Sequence, residues 1–181
     1  MPTPFDSGTA EVLPAWIDSN DHMNLAYYTV LFDRATDLIY EEFGLHPGYK
    51  AATNCGTFAA ESHNLYENEL RLGNRVRMTT LVLGADAKRL HLAHEMYRLD
   101  DGRRAAMQEL MYLHVDLGMR RVVPWPADVR VKLDRFAAAH AALPTPAWVG
   151  RRIAMPARDI AVDSRDGPAH LDLRGPTAIA P

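Results

Sequence analysis

The segment between Leu25 and Phe43 has apolar residues at the spacing of an amphipathic helix. These residues are Tyr28, Leu31, Phe32, Ala35, Leu38, Ile39 and Phe43. Because their spacing is close to 3.6 residues, we predict one long helix of roughly 25–30 Å. Asn24 or Asp21 suits the N-cap, and Gly44 follows the last turn as a helix-ending glycine does. The apolar stripe is broad enough to predict that a sheet wraps around this helix.

The middle of the chain changes to the two-residue period of β-strands. Four segments have this character: Phe58–Leu65, Arg75–Leu83, Arg89–Leu99 and Arg104–Val115. Short turn signals separate the later strands, and Asp100-Asp101-Gly102 is the strongest of them. Such connections predict an antiparallel meander. With Glu11–Ile17 as the expected first strand, the pattern predicts an α+β fold, in which a curled antiparallel sheet of five to six strands packs on one long helix.

A second helical pattern follows Pro124-Trp125-Pro126, and we assign residues 127–143 to a C-terminal helix. From residue 144 the composition changes, because six of the twelve prolines of the chain lie between there and residue 181. We therefore expect 144–181 to form an extended tail that could pack on a neighbouring subunit. We predict that residues 8–126 form the main domain.

The composition narrows the classes of protein that fit. A hydrophobic content of 48% in 181 residues is enough for one domain with a core, and a net charge of −3 argues against nucleic-acid binding. The sequence contains no apolar run long enough for a membrane-spanning segment. Its first dozen residues lack the features of a secretory signal, and the lone Cys55 cannot form an internal disulfide. Together these features lead us to expect a cytoplasmic protein.

The stretch Asp18-Ser19-Asn20-Asp21-His22-Met23-Asn24 carries the candidate chemistry, because it lies immediately before the long helix. A helix N-terminus presents unpaired backbone N–H groups and favours developing negative charge. A carboxylate placed there could attack a carbonyl carbon, or activate water against it, while the amides stabilise the carbonyl oxygen. The stretch therefore favours acyl-transfer chemistry, although an ordinary helix cap needs the same residue types.

The order of elements and this motif resemble the hotdog-fold acyl-CoA thioesterases of the 4-hydroxybenzoyl-CoA thioesterase type. Members of that family carry Asp-x-x-Gly-His-x-Asn before the central helix and then a tyrosine, here Tyr27. A closer likeness, to the betainyl-CoA thioesterases of carnitine catabolism, rests on Glu61-Ser62-His63, Asp86–Leu92, His94-Glu95-Met96 and Leu113–Asp116. The resemblance covers roughly residues 10–126. In one departure, Asp21 stands where the family has glycine.

The resemblance implies roles for the residues of the motif. Asp18 is implied as the catalytic carboxylate, either as nucleophile or as the base that deprotonates water. His22 and Asn24 are implied to position Asp18, the water or the turn itself. Each of these three residues also has a purely structural interpretation as part of a capped turn.

Further residues are implied outside the motif. Lys88 and Arg89 are implied to contact the phosphates of coenzyme A, although a basic pair beside a turn is often only solvated surface. Glu61, which shares a strand face with His63, is a second candidate for catalysis or substrate binding. Aromatic faces for a quaternary ammonium acyl group could come from Trp16, Tyr27 and Tyr28, although such residues more often belong to a core.

The sequence thus predicts a thioesterase for a short or polar acyl-CoA, with betainyl-CoA as a candidate substrate. We expect no metal and no cofactor beyond the coenzyme A of the substrate, and a homodimer or homotetramer with active sites between protomers. Two alternatives stay open: a non-catalytic acyl-CoA-binding module, and a hotdog hydratase or dehydratase. The sequence lacks Gly-x-Ser-x-Gly, a P-loop and a dinucleotide fingerprint. His91 and His94 do not suit a metal pair, since a separation of three residues on a strand directs them to opposite faces.

Overall fold

The long helix α1 extends over Leu25–Phe43, as the apolar spacing predicts. The side chain of Asn24 caps it by accepting a hydrogen bond of 3.0 Å from the backbone N–H of Ala26. Gly44 ends it in the left-handed conformation, with φ of 83°, where glycine has no steric penalty. This computed structural model describes residues 2–155. In that part of the chain, no helix combines the length and apolar character needed to cross a bilayer.

A six-stranded antiparallel sheet packs against α1 and confirms the predicted fold class. Its strands are β1 (Phe5–Glu11), β2 (Cys55–Tyr66), β3 (Arg75–Ala85), β4 (Arg89–Arg98), β5 (Arg104–Asp116) and β6 (Arg121–Val122). The main order is β1-β3-β4-β5-β2, with β6 paired to β5. Strand β2 therefore lies at an edge of the sheet, beside β5.

The predicted first strand at Glu11–Ile17 is wrong. The first strand β1 ends at Glu11, and Pro14–Trp16 forms one turn of 3₁₀-helix. Proline has no N–H to donate to a ladder, and its fixed φ suits the start of such a turn. Ile17 keeps only an isolated bridge, to Met23. The sheet consequently begins before residue 8, the predicted start of the domain.

Two shorter helices complete the regular structure among the described residues. The helix α2 (Pro47–Thr53) was not predicted, although His46 as N-cap and Pro47 at the first position are ordinary start signals. The helix α3 (Ala127–His140) lies within the predicted range 127–143. His140 ties α3 to the sheet, because its Nδ1 accepts a hydrogen bond of 2.9 Å from the backbone N–H of Val82.

The core has a layer on each face of the sheet. Between α1 and the inner face, two clusters of buried residues follow the first and second halves of the helix. On the outer face, Trp148 is 6% exposed and packs with Leu81, Ala93 and Met107. Its indole N–H donates a hydrogen bond of 2.9 Å to Glu95.

The segment predicted as an extended tail over 144–181 thus begins with residues packed on the sheet of their own chain. Gly150 adds a second attachment, since its backbone N–H donates a hydrogen bond of 2.7 Å to the carboxylate of Glu109. Residues 151–155 are exposed and have no regular secondary structure. The remainder of the predicted tail lies outside the described residues, and its packing on a neighbouring subunit stays a prediction.

Candidate active site

A tight loop from Asp18 to His22 leads directly into α1. The backbone N–H of Asp18 donates to the carbonyl of His22 at 3.0 Å, and the N–H of Asp21 donates to the carbonyl of Asp18 at 3.1 Å. The N–H of Asn24 donates to the carbonyl of Trp16 at 2.9 Å, which closes the loop against the 3₁₀ turn. These local hydrogen bonds fix Asp18 next to the start of the helix.

Asp21 explains why the family has glycine at this point of the motif. Its φ of 60° lies in the left-handed region, which glycine adopts without cost and aspartate tolerates better than most residues. The turn therefore has the backbone conformation that a glycine would allow, with an exposed carboxylate added. The departure from the family pattern is accommodated locally.

The Asp18 carboxylate is oriented by the loop that carries it. Its Oδ1 accepts a hydrogen bond of 2.8 Å from the backbone N–H of Asn20 and lies 3.7 Å from Nδ1 of His22. The side chain of Asp18 is 21% exposed and that of His22 is 35% exposed. Both groups are thus held in place while solvent and ligands can still reach them.

Asp18 and His22 face a cleft of about 370 Å³ between the start of α1 and the segment that follows β2. The other lining residues are Asn20, Met23, Leu25, Tyr28, Tyr66, Glu67, Asn68 and Glu69. Leu25 is the first residue of α1, so the helix N-terminus forms part of the wall. The positive end of the helix dipole therefore lies on the same cleft as the carboxylate, which favours negative charge that develops on a carbonyl oxygen bound there.

Asn24 has a structural function in this arrangement. Its side-chain oxygen caps α1, and its backbone carbonyl accepts a hydrogen bond of 3.0 Å from the N–H of Tyr27. Asn24 is absent from the residues that line the cleft. The contacts thus support the positioning role, in which Asn24 fixes the helix start behind Asp18.

Lys88 and Arg89 lie far from Asp18 within one protomer. They follow the turn between β3 and β4, whereas the loop of Asp18 packs near the opposite ends of these strands. Arg89 is engaged with Asp86, its Nε lying 2.7 Å from a carboxylate oxygen. The hydrogen bond from Arg89 lowers the pKa of Asp86 to about 2. Both side chains of this pair are largely exposed, so a phosphate could compete for Arg89.

Glu61 is likewise not brought to Asp18. It lies on the edge strand β2 and pairs with Met111, while His63 pairs with Glu109. Glu61 and His63 therefore share a face, as predicted, but this is the outer face that points away from α1. Neither residue lines the cleft of Asp18.

The sequence pattern described as the thioesterase-like superfamily matches residues 12–133. The chain belongs to this superfamily. A betainyl-CoA thioesterase of Pseudomonas aeruginosa is 39% identical over 145 residues, which are 80% of this chain and 91% of that protein. An L-carnitine dehydrogenase/betainyl-CoA thioesterase of Rhizobium meliloti is 33% identical over 79% of this chain and 29% of that protein.

A solved structure supports the same relationship. A hypothetical protein of Staphylococcus aureus, determined in complex with CoA, has a TM-score of 0.80 and 26% identity. The match covers 86% of this chain and 98% of that protein. The resemblance found in the sequence is thereby confirmed for the fold and the family.

The three predicted aromatic residues pack in the core beside α1, which is one of the two roles that the sequence allows them. Trp16 is stacked on Tyr27 at a centroid distance of 5.4 Å, with the Arg34 guanidinium 5.9 Å from its ring. Of the three predicted aromatic residues, Tyr28 alone lines the cleft, and it is joined there by Tyr66. Sequence reasoning missed Tyr66, whose only signal is its place at the end of a strand.

The histidines on β4 have structural partners. His94 is fully buried and hydrogen-bonds to the hydroxyls of Thr36 and Thr80 at 3.0 and 2.8 Å. Burial lowers its pKa to about 3, so it is neutral at physiological pH. His91 contacts Glu109 on the other face, which confirms that the two histidines point in opposite directions.

Proposed function

We propose that the cleft beside Asp18 is where this thioester hydrolase cleaves an acyl-CoA to the free acid and CoA. The observation that carries the proposal is the place of the Asp18 carboxylate, on the wall of a cleft that also contains the first residue of α1. A thioester carbonyl bound there would have its oxygen towards the helix N-terminus and its carbon towards Asp18. Negative charge that develops on the oxygen would be stabilised by the positive end of the dipole of α1.

Asp18 has two chemically balanced ways to act. As a nucleophile, its oxygen bonds to the acyl carbon, the C–S bond breaks, CoA leaves as the thiolate, and water then hydrolyses the anhydride. As a general base, it takes a proton from the water that attacks the same carbon, after which the C–S bond breaks and the departing CoA thiolate accepts that proton. The hydrogen bond from Asn20 leaves the second carboxylate oxygen available to either route. His22 lies beside Oδ1 of Asp18 and would hold this carboxylate in position.

We further propose betainyl-CoA as the substrate. The support is the 39% identity with the Pseudomonas aeruginosa betainyl-CoA thioesterase, which this chain covers almost completely. The cleft is also suited to a positively charged acyl group. Asp18, Glu67 and Glu69 line it, and no lysine or arginine does so among the described residues.

We also propose a homodimer or homotetramer. Such an assembly would explain how Lys88 and Arg89, which lie far from Asp18 within one protomer, could contact the coenzyme A of a substrate bound beside Asp18. In the described residues β2 is paired on one side only, which leaves a strand of twelve residues open at the edge. Two copies joined antiparallel along β2 by a two-fold axis would place the end of β2 in one copy beside its start in the other. The basic turn of one protomer would then approach the Asp18 cleft of its partner.

We propose the cytoplasm as the compartment, since a single cysteine suits a reducing environment. The proposed partner is the acyl-CoA itself, with no role for nucleic acid or a membrane. Beyond the coenzyme A of the substrate, neither route of hydrolysis needs a cofactor.

The experiment is a thiol-release assay with betainyl-, acetyl-, aroyl- and long-chain acyl-CoA. We expect Asp18→Asn, which keeps the shape of the side chain, to lower kcat by about 100-fold or more. Asp21→Asn is the matched control, because it changes an exposed carboxylate three residues away and should retain near-normal turnover.

Three results would contradict the proposal. An unchanged rate in the Asp18→Asn variant would remove the carboxylate from the mechanism. Tight binding of acyl-CoA without thiol release would favour a binding module. If an enoyl-CoA added to the panel loses its absorbance without releasing thiol, the result would favour a hydratase.

A further inference from the structure

The structure assigns the recognition of a cationic acyl group to two tyrosines, Tyr28 and Tyr66, and we propose Tyr66 as the residue that determines this specificity. The inference rests on the proposed function, since it concerns the acyl group held beside Asp18. The proposed ligand is an acyl group whose quaternary ammonium nitrogen lies two bonds from the thioester carbonyl carbon.

The two rings form a corner in the cleft. Their centroids are 5.2 Å apart and their planes are inclined by 76°. Tyr28 is 5% exposed, and its hydroxyl is fixed by a hydrogen bond of 3.1 Å from the backbone N–H of Leu70. Tyr66 is 47% exposed, although it packs on this anchored ring. The corner therefore combines a rigid support with an aromatic surface that a ligand can reach.

The two glutamates near this corner already have cationic partners in the protein. Glu67 hydrogen-bonds to Arg104 at 2.9 and 3.0 Å, and Glu69 hydrogen-bonds to Arg71 at 2.6 and 2.9 Å. These carboxylates are thus already engaged with arginines. A trimethylammonium group has no N–H to donate and cannot replace the arginines as a hydrogen-bond partner, so its favourable contact here is with aromatic ring faces. Tyr28 and Tyr66 provide such faces in the same cleft as Asp18.

The size of the substrate supports the same assignment. In a betainyl group only one methylene separates the nitrogen from the carbonyl carbon. The group that contacts the cation must therefore lie in the same cleft as the carboxylate that reacts with the carbonyl. Tyr66 and Asp18 share this cleft of about 370 Å³, whereas Trp16 and Tyr27 do not line it.

The test compares betainyl-CoA with 3,3-dimethylbutyryl-CoA, in which a carbon replaces the charged nitrogen in a group of the same shape. We expect the wild-type protein to have the higher kcat/KM for the cation. Tyr66→Leu should lower the ratio of the two kcat/KM values by about 3- to 30-fold, the range expected when one cation–π contact is lost. Tyr66→Phe keeps the ring and should keep the ratio within about twofold.

Leu38→Ala is the control. Leu38 is 48% exposed on α1 and lies outside both β2 and the cleft lining, so its loss should leave the ratio unchanged. Should Tyr66→Leu fail to fold, as seen by circular dichroism, inhibition of the wild-type protein gives the second measurement. Glycine betaine should then inhibit at a lower concentration than 3,3-dimethylbutyrate, which has the same shape and lacks the positive charge.

The outcomes separate this inference from the proposed function. Equal losses for both substrates in Tyr66→Leu, or equal inhibition by the two acids, would overturn the assignment and leave the thioesterase activity standing. A wild-type protein that prefers the neutral substrate would do the same. If neither substrate releases thiol, the proposed function for this acyl class fails, and the assignment fails with it.

Discussion

The buried His94 makes the stability of this fold depend on pH in a way that can be calculated. The imidazole lies between α1 and the sheet, where it bridges Thr36 and Thr80 and stacks on Phe32 at 5.8 Å. A neutral ring donates through one nitrogen and accepts through the other, which suits two hydroxyl partners. Burial lowers the pKa from 6.5 to about 3, so the folded protein keeps this ring neutral in mild acid.

The sign and size of the effect follow from proton linkage. Between pH 6.5 and 3 the unfolded chain binds a proton at His94 that the folded protein does not bind. Unfolding is therefore favoured as the pH falls. The free energy of unfolding should decrease by about 1.4 kcal/mol per pH unit well below 6.5, or about 2 kcal/mol between pH 7 and pH 5.

His94→Gln is the variant that tests this reasoning, because an amide can also donate to one threonine and accept from the other. Urea unfolding of both proteins at pH 7 and pH 5, at one protein concentration, gives the two changes in free energy. We expect the wild-type loss to exceed that of the variant by about 2 kcal/mol. Comparing changes rather than absolute values cancels any cost of the substitution and the contribution of His140. Equal losses in the two proteins would refute the claim that His94 stays neutral when folded.

Two further outcomes are expected. Trp148→Ala should destabilise the fold by about 3 kcal/mol, since it removes a buried indole from the outer face of the sheet and its hydrogen bond to Glu95. Thermal and urea unfolding measure this loss. An unchanged unfolding midpoint would show that the contact contributes no stability. Arg89→Gln should raise KM for an acyl-CoA about tenfold with little change in kcat, and should leave KM unchanged for the acyl-pantetheine, which lacks the nucleotide phosphates. Equal effects on the two thioesters would exclude a phosphate contact.

Parts of this fold could be predicted because their causes are local. The limits of α1 are set by an apolar stripe, by Asn24 at one end and by Gly44 at the other, all within twenty-one consecutive residues. The loop from Asp18 to His22 is equally local, so Asp18 and His22 were predicted together and are found together. The packing of Trp148 could not be predicted in this way. Its partner Glu95 is 53 residues away, and a proline-rich sequence gives no sign of that contact.

The residues that line the rest of the cleft depend on one irregularity of β2. Before it, Ala59 pairs with Tyr112, and after it Glu61 pairs with Met111, so β2 contains one extra residue at this point. Strand residues alternate between faces, and an extra residue therefore exchanges the two faces for the remainder of the strand. Because of the bulge, Asn64 and Tyr66 point towards α1. Asn64 accordingly donates a hydrogen bond to Thr29, and Tyr66 contacts Tyr28.

Without that bulge, the faces of the second half of β2 would be reversed. Glu61 would then point towards α1, where the predicted substrate-binding role requires it to be. Tyr66 would point away from the cleft. The alternation of residue types in 58–65 does not reveal the extra residue, because both faces of this edge strand are largely exposed in that range. The carboxylate of the site is thus fixed by a short local motif, whereas the aromatic corner that would select its substrate depends on the register between β2 and β5.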